Sequence, residues 1–377
     1  ERLDEGLFHV CGGHVFNTKD EQVSKWFWTR FNRDRDFLKA MRNSAIAFDD
    51  GRFVGYPIEN HVYQLPDAIW QSFCSDLEQI EMGAGFAPTN FADFLRMRFG
   101  ETLYELYFKP YNAKVWRCDL SEVPLEWLSG KLPMPTAEEM RRANQEKTEE
   151  TSFVHSSFWY EKHGGSQFVA DTLAKGLSVR YETDVSRIQV KRDGGVEVDG
   201  ERFDRVVFCG NVKFLPQLLE GVDLRGMAKE LDALQSHGTT AAFCEIDRNP
   251  YSWVYQPSDR HDSHRIICTG NFAPSNNAEG HMTATVEFTD EVSDDTIRRQ
   301  LARMPFHPRF IKSHFSECSY PIQTAQTRDL VFHLKTLLSQ FGISLVGRFA
   351  EWEYYNMDAA MASAMRAVGC DGCGDKL

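Results

Sequence analysis

Four short segments between residues 240 and 290, TAAFCEI, SWVYQ, RIICTGNF and TATVEF, alternate apolar and polar or small residues in the manner of strands. Successive strand side chains point to opposite faces, so this spacing predicts a largely antiparallel sheet with at least one face to be covered. The cover is available upstream. LPDAIWQSFCSDLEQI and NFADFLRMRFGETLYELYFKPYNAKVW carry apolar residues three and four apart from about residue 66 to 116, which predicts a helical lobe. SAIAFDDGRFVGYPI reads as a hairpin around an Asp-Asp-Gly turn, and DEQVSKWFWTRFNR as a helix. AEEMRRANQEKTEE, residues 137–150, has too few apolar residues to bury much surface and is expected to be a mobile, solvent-exposed flap. Its Arg141, Arg142 and Lys147 would offer charge to a bound anion.

The rest of the chain mixes helices and strands. HGGSQFVADTLAKGLSVRYETDVSRIQVKRDGGVEVDGERFDRVVFCG reads as a glycine turn, a helix and several short strands. TRDLVFHLKTLLSQFG places Leu330, Leu334, Leu337, Leu338 and Phe341 on one helical face and stops at Gly342. The strand ISLVG, the turn GRFAEWEYYNMD and a small-residue helix over 358–367 follow. The free N–H groups and positive dipole end of that helix favour an electron-rich ligand edge. The class is α/β, with no internal repeat.

Composition excludes several partners. No run approaches the roughly 18 to 20 apolar residues of a membrane-spanning helix, and the polar start ERLDEG lacks the apolar core of a signal peptide, so a cytoplasmic location is expected. A net charge of −13 repels nucleic acid and anionic lipid, and an anionic ligand would need particular Arg or Lys residues to hold it. Nine cysteines, several in apolar stretches such as VVFCG and AAFCE, suit buried free thiols in a reducing compartment. Cys370 and Cys373 form a CxxC with no second pair, which reads as a frayed terminus and gives no metal site.

GGHVFNTKD, residues 12–20, sets two glycines and a histidine behind the strand-like run LFHVC. Glycines turn with positive φ or press against a flat ligand with no Cβ in the way, and both uses stay open on these residues.

GGHVFNT, FKPYNAKVW, SWVYQPSDRHDSHRIICTGNFAPSNN, and SYPIQT followed by GRFAEWEYYNMD occur in an order that resembles the UDP-galactopyranose mutases and their amine-oxidase-like flavoprotein relatives, over nearly the whole chain. The resemblance implies a discontinuous Rossmann-like FAD-binding domain of the glutathione-reductase type, over 1–18, 160–212 and 335–377. It implies a helical lobe over 64–157, and an antiparallel-sheet substrate domain over 19–63 and 213–334. The implied reaction interconverts UDP-galactopyranose and UDP-galactofuranose for cell-surface polysaccharide biosynthesis, with reduced FAD acting as a nucleophile through its N5 and NAD(P)H or another reductant keeping it reduced. The implied alternatives are an amine-oxidase-like oxidoreductase and a non-catalytic relative with weak FAD binding; association into a homo-oligomer is a further expectation.

Residue by residue, the resemblance puts Gly12, Gly13 and His14 beside the isoalloxazine ring, with His14 near N5. Trp116 would line the nucleotide-sugar cleft, and Arg265 would grip the diphosphate with its planar fork of donors, Asn271 following in the same motif. Tyr320 and Tyr354 would reach the phosphates. Gly347 and Arg348 match a turn at the ribityl-phosphate portion of FAD, Asn356 and Met357 a turn at its pyrimidine edge, and Val185 and Gly210 backbone contacts near the cofactor.

Three positions depart from the pattern. No strand, GxGxxG turn and helix for the ADP half of FAD precede the first motif, which reads either as a fragment or as a lost dinucleotide grip. A second phosphate-gripping arginine falls on Lys131, which keeps charge without the bidentate fork. An aspartate near the end of the YYDM-like turn is Asn356 here.

Overall fold

The computed structural model describes residues 1–82, 87–123, 125, 135–148 and 156–369. They form two compact units, the first of residues 1–17, 32–169 and 237–319, the second of residues 18–31, 170–236 and 320–377.

The first unit is built on a seven-stranded sheet in the order Arg309–Pro321, Ser236–Glu245, Thr283–Thr289, Arg265–Ile267, Trp253–Tyr255, Ser44–Ala47, Phe53–Gly55. The four segments of the 240–290 alternation lie side by side in it, and their pairings are antiparallel; only Trp253–Tyr255 against Ser44–Ala47 is parallel among the registered pairs. The expected hairpin is present, with Ala45 opposite Gly55 and Ala47 opposite Phe53.

Both faces of this sheet are covered. One presents Ala242, Cys244, Val254, Ile266, Cys268, Ala284, Val286 and Phe288 to a core shared with Ile297, Leu301 and Met304. The other presents Ile46, Trp253, Tyr255 and Ile267 to the helices. Those helices are Asp67–Met82, Phe91–Leu103 and Lys109–Trp116, the last two joined by a π-helical turn at Tyr104–Phe108. Asn90 caps the second of them by accepting from the Asp93 N–H at 2.9 Å. The helix kinks at Gly100 (φ 84°), where a Cβ would fall 2.5 Å from that of Asp76, whose carboxylate accepts the Thr102 N–H at 2.7 Å.

Residues 137–150 differ from the expected flap. Ala137–Glu146 is a helix closed by a Thr136/Glu139 capping box, and it buries Ala137, Met140 and Asn144. The Asn144 amide donates to the carbonyls of Glu59 and Met140 at 2.7 and 2.8 Å. Arg141 is ion-paired with Glu81 at 2.8 Å, and Lys147 ends the helix in the left-handed region (φ 51°). A few buried contacts and one good cap hold a segment whose composition alone points to solvent; residues 149 and 150 lie outside the described ones.

The second unit has a four-stranded sheet in the order Leu219–Glu220, Ile188–Val190, Val196–Val198, Glu201–Phe203. A separate parallel pair is formed by Val206–Phe208 and Ile343–Leu345. Helix Ala325–Ser339 contributes Leu330, Val331, Leu334 and Leu338 to its core, which also holds Trp352. Gly342 (φ 75°) turns the chain from that helix into the next strand as expected.

The unit boundaries differ from the domains read off the sequence. The first 17 residues belong with the large sheet, because Gly6 bridges to Asn277 and Phe16 to Trp159. Residues 213–236 and 320–334 belong with the second unit, where Leu215, Leu219, Leu231, Leu330 and Leu334 share one core. Cys209, expected to be buried, is exposed, whereas Cys244 and Cys268 are buried thiols. No described helix is long and apolar enough to cross a membrane.

Phe272 is fully buried on the helix-facing side of the sheet, with ring centroids 4.7 Å from Trp253, 5.2 Å from Phe158, 5.4 Å from Tyr160 and 5.8 Å from His9. Truncating it leaves a cavity between four rings that cannot collapse together. Phe272→Ala should therefore lower stability by about 3 to 5 kcal/mol, read from urea denaturation; a loss below about 1 kcal/mol would show that the ring cluster is not part of the core.

Candidate functional site

The Gly12–Gly13–His14 turn sits on the helix-facing side of the large sheet. Gly12 adopts φ 66° and donates its N–H to Glu287 Oε1 at 2.9 Å. A Cβ on Gly13 would come 3.0 Å from both Ile267 Cγ2 and Trp253 Nε1, so the second glycine is needed for close approach to the sheet itself. The His14 ring folds back toward Gly12 and is exposed, while its carbonyl accepts from Ser166 Oγ.

Glu287 is the hub beneath this turn. Strand register sets Arg265 directly opposite Glu287 on one side and opposite Tyr255 on the other. Arg265 Nε donates to Glu287 Oε2, and His264 Nε2 lies 3.6 Å from the same oxygen. Glu287 has no exposed surface, whereas the Arg265 side chain keeps 20% exposure. Burial by itself raises the Glu287 pKa, but the Arg265 charge and the His264 contact outweigh it and hold the carboxyl well below its usual range. Burial also lowers the pKa of His264, against the opposing pull of Glu287.

Aromatic groups surround the pair. Tyr255 accepts from Arg42 Nη2 at 2.8 Å, and its ring lies 4.5 Å from Tyr56. Tyr111 is edge-on to Tyr255 at 5.6 Å and to His264 at 6.3 Å, and stacks on Tyr107 at 5.4 Å. Trp116, on the same helix as Tyr111, packs against Phe91 at 6.2 Å and is half-buried. Of the residues expected in this unit, Gly12 and Arg265 meet on Glu287, and Gly13 and His14 belong to the same turn as Gly12. Asn271 serves the fold: its amide donates to the carbonyls of Asn249 and Tyr251 at 2.9 and 2.6 Å. Lys131 lies outside the described residues.

Glu287, His264, Tyr111, Tyr255 and Arg42 are members of the cluster that sequence reasoning missed. A signal existed for Glu287: in TATVEF it shares a strand face with Thr283 and Thr285, opposite Ala284, Val286 and Phe288. Behind the turn, His9 Nε2 pairs with the Tyr160 hydroxyl at 2.7 Å, which also accepts from Asn276 Nδ2 at 3.1 Å. Burial pushes His9 down to about 4, keeping it neutral.

Glu59 is the contrasting acid. It is almost fully buried, no cation among the described residues lowers it, and burial pushes its carboxyl up to about 7.

In the second unit Tyr320 and Tyr354 stack at 5.5 Å, and the Arg348 guanidinium lies 5.1 and 4.5 Å from their ring centres. Arg348 Nη1 donates to the Tyr355 carbonyl at 3.4 Å, while Nε and Nη2 are buried with no hydrogen-bond partner among the described residues. The preceding Gly347 (φ 88°) has no atom within 4 Å of where a Cβ would stand. Its N–H donates to Glu351 Oε2 at 2.9 Å, and Glu351 Oε1 accepts from Lys335 Nζ at 2.6 Å. Asn356 caps the helix Met357–Ala367 without a side-chain hydrogen bond, leaving the first-turn N–H groups to another partner. Val185 and Gly210 are exposed elsewhere in this unit. Buried unpaired guanidinium donors, a bare glycine turn and an uncapped helix start suit an anionic or electron-rich group. Among the described residues no His, Cys, Asp and Glu cluster is arranged to hold a metal ion.

The two acids should respond oppositely to pH. Glu287 has a folded pKa below its ordinary 4.5, so its stabilisation is present above pH 4.5 and is lost as pH falls. Glu287→Gln should cost about 3 to 5 kcal/mol at pH 7 by breaking the buried ion pair with Arg265, and should flatten the acid limb of stability against pH. Glu59 has a raised folded pKa, so its contribution declines as pH rises from 4.5 to about 7. Glu59→Gln should remove a decline of roughly 3 kcal/mol over that window in urea titrations; an unchanged slope would mean that Glu59 ionises normally.

No protein-family model matches the chain. A Klebsiella pneumoniae protein described as a probable UDP-galactopyranose mutase is 28% identical over 134 residues, and the match spans about a third of each chain, 34% of this one and 33% of that one. The crystal structure of reduced UDP-galactopyranose mutase superposes with a TM-score of 0.81 at 20% identity, covering 97% of this chain and 84% of that one. A fatty acid isomerase from P. acnes gives 0.61 at 12% identity over 95% and 86% of the two chains. Putrescine oxidase bound to putrescine gives 0.58 at 12% over 98% and 91%. The chain therefore has the mixed α/β fold of the UDP-galactopyranose mutases and amine-oxidase-like flavoproteins, and over a third of its length its sequence resembles the mutases.

Proposed function

We propose that the protein is an FAD-dependent nucleotide-sugar mutase that interconverts UDP-galactopyranose and UDP-galactofuranose. The observation that carries this reading is Arg265: a partly exposed guanidinium, fixed from behind by a fully buried carboxylate, on a sheet face lined with tyrosines and beside the Gly12–His14 turn. Such an arginine is rigid before a ligand arrives, which suits a diphosphate that must be held while it departs.

The residues at the Gly347–Met357 turn fit a flavin. Arg348 has two buried donor nitrogens to give, Gly347 leaves the backbone bare, and the helix start at Met357 would offer N–H groups to the pyrimidine edge. When bound, reduced FAD supplies a nucleophilic N5 for the anomeric carbon of the sugar. Arg265 holds the diphosphate and stabilises the negative charge that grows on it as UDP leaves. Tyr320 and Tyr354 are assigned hydroxyl bonds to phosphate oxygens, Trp116 the packing of the nucleotide sugar, and Lys131 a supporting charge. His14 is assigned the handling of a proton at N5, and the neutral His9 and Tyr160 keep its turn in place.

Two measurements test this. Arg265→Ala should weaken UDP binding by about 2 to 4 kcal/mol in calorimetry, and unchanged affinity would remove the diphosphate from the reading. Conversion of UDP-galactofuranose should require dithionite or NADPH and proceed with no net flavin oxidation, and His14→Ala should retain flavin while lowering turnover by about 10² to 10⁴. Stoichiometric substrate oxidation would instead favour an amine-oxidase-like enzyme, and protein that takes up no FAD would favour a non-catalytic relative.

A further inference from the structure

Lys114 points away from the solvent expected of a helix lysine. It is half-buried, on the helix Lys109–Trp116, and its Nζ donates at 2.9 Å to the carbonyl of Gln256 and at 2.9 Å to that of Ser263. These two carbonyls stand at the opposite ends of one loop, the connection between strands Trp253–Tyr255 and Arg265–Ile267. One ammonium therefore staples both ends of the loop to the helix that carries Tyr111 and Trp116.

The loop is otherwise folded around its own polar groups. Ser263 Oγ donates to Gln256 Oε1 at 3.0 Å, and the Gln256 N–H donates to the His264 carbonyl at 2.9 Å. Gln256, His261, Ser263 and His264 are all buried. Immediately after it come His264 and Arg265, the two groups that meet Glu287. An error in loop position would be transmitted within two residues to the guanidinium.

We propose that Lys114 is a positioning residue that locks the 256–264 loop, and with it Arg265 and His264, against the Tyr111 helix, so that anion affinity falls when its ammonium is removed or neutralised. An ammonium is the group for this task, since it offers three donors and no acceptor and can satisfy two converging carbonyls at once. Its charge has a second effect, since together with burial it lowers the pKa of both His261 and His264. The groups facing it are Asp262 and Asp259 of the loop, Asp49 of the neighbouring hairpin, and the two histidines; Arg260 is in turn engaged by Asp49 at 3.5 Å. Burial outweighs those carboxylates and brings Lys114 down to about 8, within reach of an ordinary pH series.

The ligand in this inference rests on the nucleotide-sugar reading, whereas the loop lock does not. The test uses the whole chain with Lys114→Met and Lys114→Gln, amide hydrogen exchange over 256–264, and calorimetry with UDP at pH 7 and pH 9. Expected are exchange faster in both variants and confined to the loop, and UDP binding on the order of tenfold weaker in Lys114→Met, the scale of one charged hydrogen-bonding contact. The parent should lose affinity between pH 7 and pH 9, and Lys114→Met should not. Loop exchange unchanged in both variants overturns the lock. Faster exchange with unchanged UDP affinity overturns its link to Arg265. A parent that binds no UDP removes the nucleotide reading, and the exchange data still decide the lock. Should Lys114→Met fail to fold, Lys114→Gln and the parent's own pH series give the same decision.

Discussion

A buried carboxylate that accepts the N–H of a left-handed glycine is the constraint around which the candidate site is built. Glu287 holds Gly12 at 2.9 Å with one oxygen and Arg265 with the other. The turn must take φ 66° for its N–H to point at the acid, which only glycine does at no steric cost, and Gly13 must be bare to lie on Ile267 and Trp253. The arginine in turn keeps the acid ionised where burial alone would neutralise it. Removing Glu287 takes away the acceptor that Gly12 and Arg265 share, and removing Arg265 leaves a fully buried carboxylate without its cation, so the turn and the guanidinium depend on one acid.

The second unit repeats the device with different residues. Glu351 accepts the Gly347 N–H at 2.9 Å with one oxygen and the Lys335 ammonium at 2.6 Å with the other, and Gly347 is again left-handed. In both places a cation and a glycine N–H share one acid, and the turn so fixed carries a candidate site residue, His14 or Arg348, just after its glycine. A carboxylate with two oxygens suits this because each oxygen can serve a different strand or helix, tying elements distant in sequence at a single point.

Periodicity made most elements legible: the antiparallel segments of 240–290, the hairpin after residue 44, and the long helices all follow from local spacing. Arg265, Gly12 and His14 were legible as candidates because they sit in compact motifs. Glu287 was not, since its partner Gly12 lies 275 positions away and nothing local marks a strand glutamate as buried and paired. Tyr160 was hidden for the same reason, its partner His9 being 151 positions distant. The helix at 137–146 was missed on composition although Thr136 and Glu139 spell a capping box, because a short helix held by Met140 and by the amide of Asn144 needs little apolar surface.

Glu59 and Glu287 make plain what sets the charge of such a site. Both are buried in the same unit and both lie near tyrosines, yet one is pushed up to about 7 and the other held well below the carboxylate range. Desolvation acts on both in the same direction; the difference is that Arg265 and His264 stand against Glu287 whereas, among the described residues, no cation stands against Glu59. Arg42, which donates to Tyr255 at 2.8 Å, adds a second guanidinium to this face, whereas Lys114, lowered by burial to about 8, is itself faced by Asp49, Asp259 and Asp262. An anion drawn to this face therefore meets a guanidinium whose direction is fixed by one acid, and it is that fixed geometry, more than any surplus of charge, that would orient it.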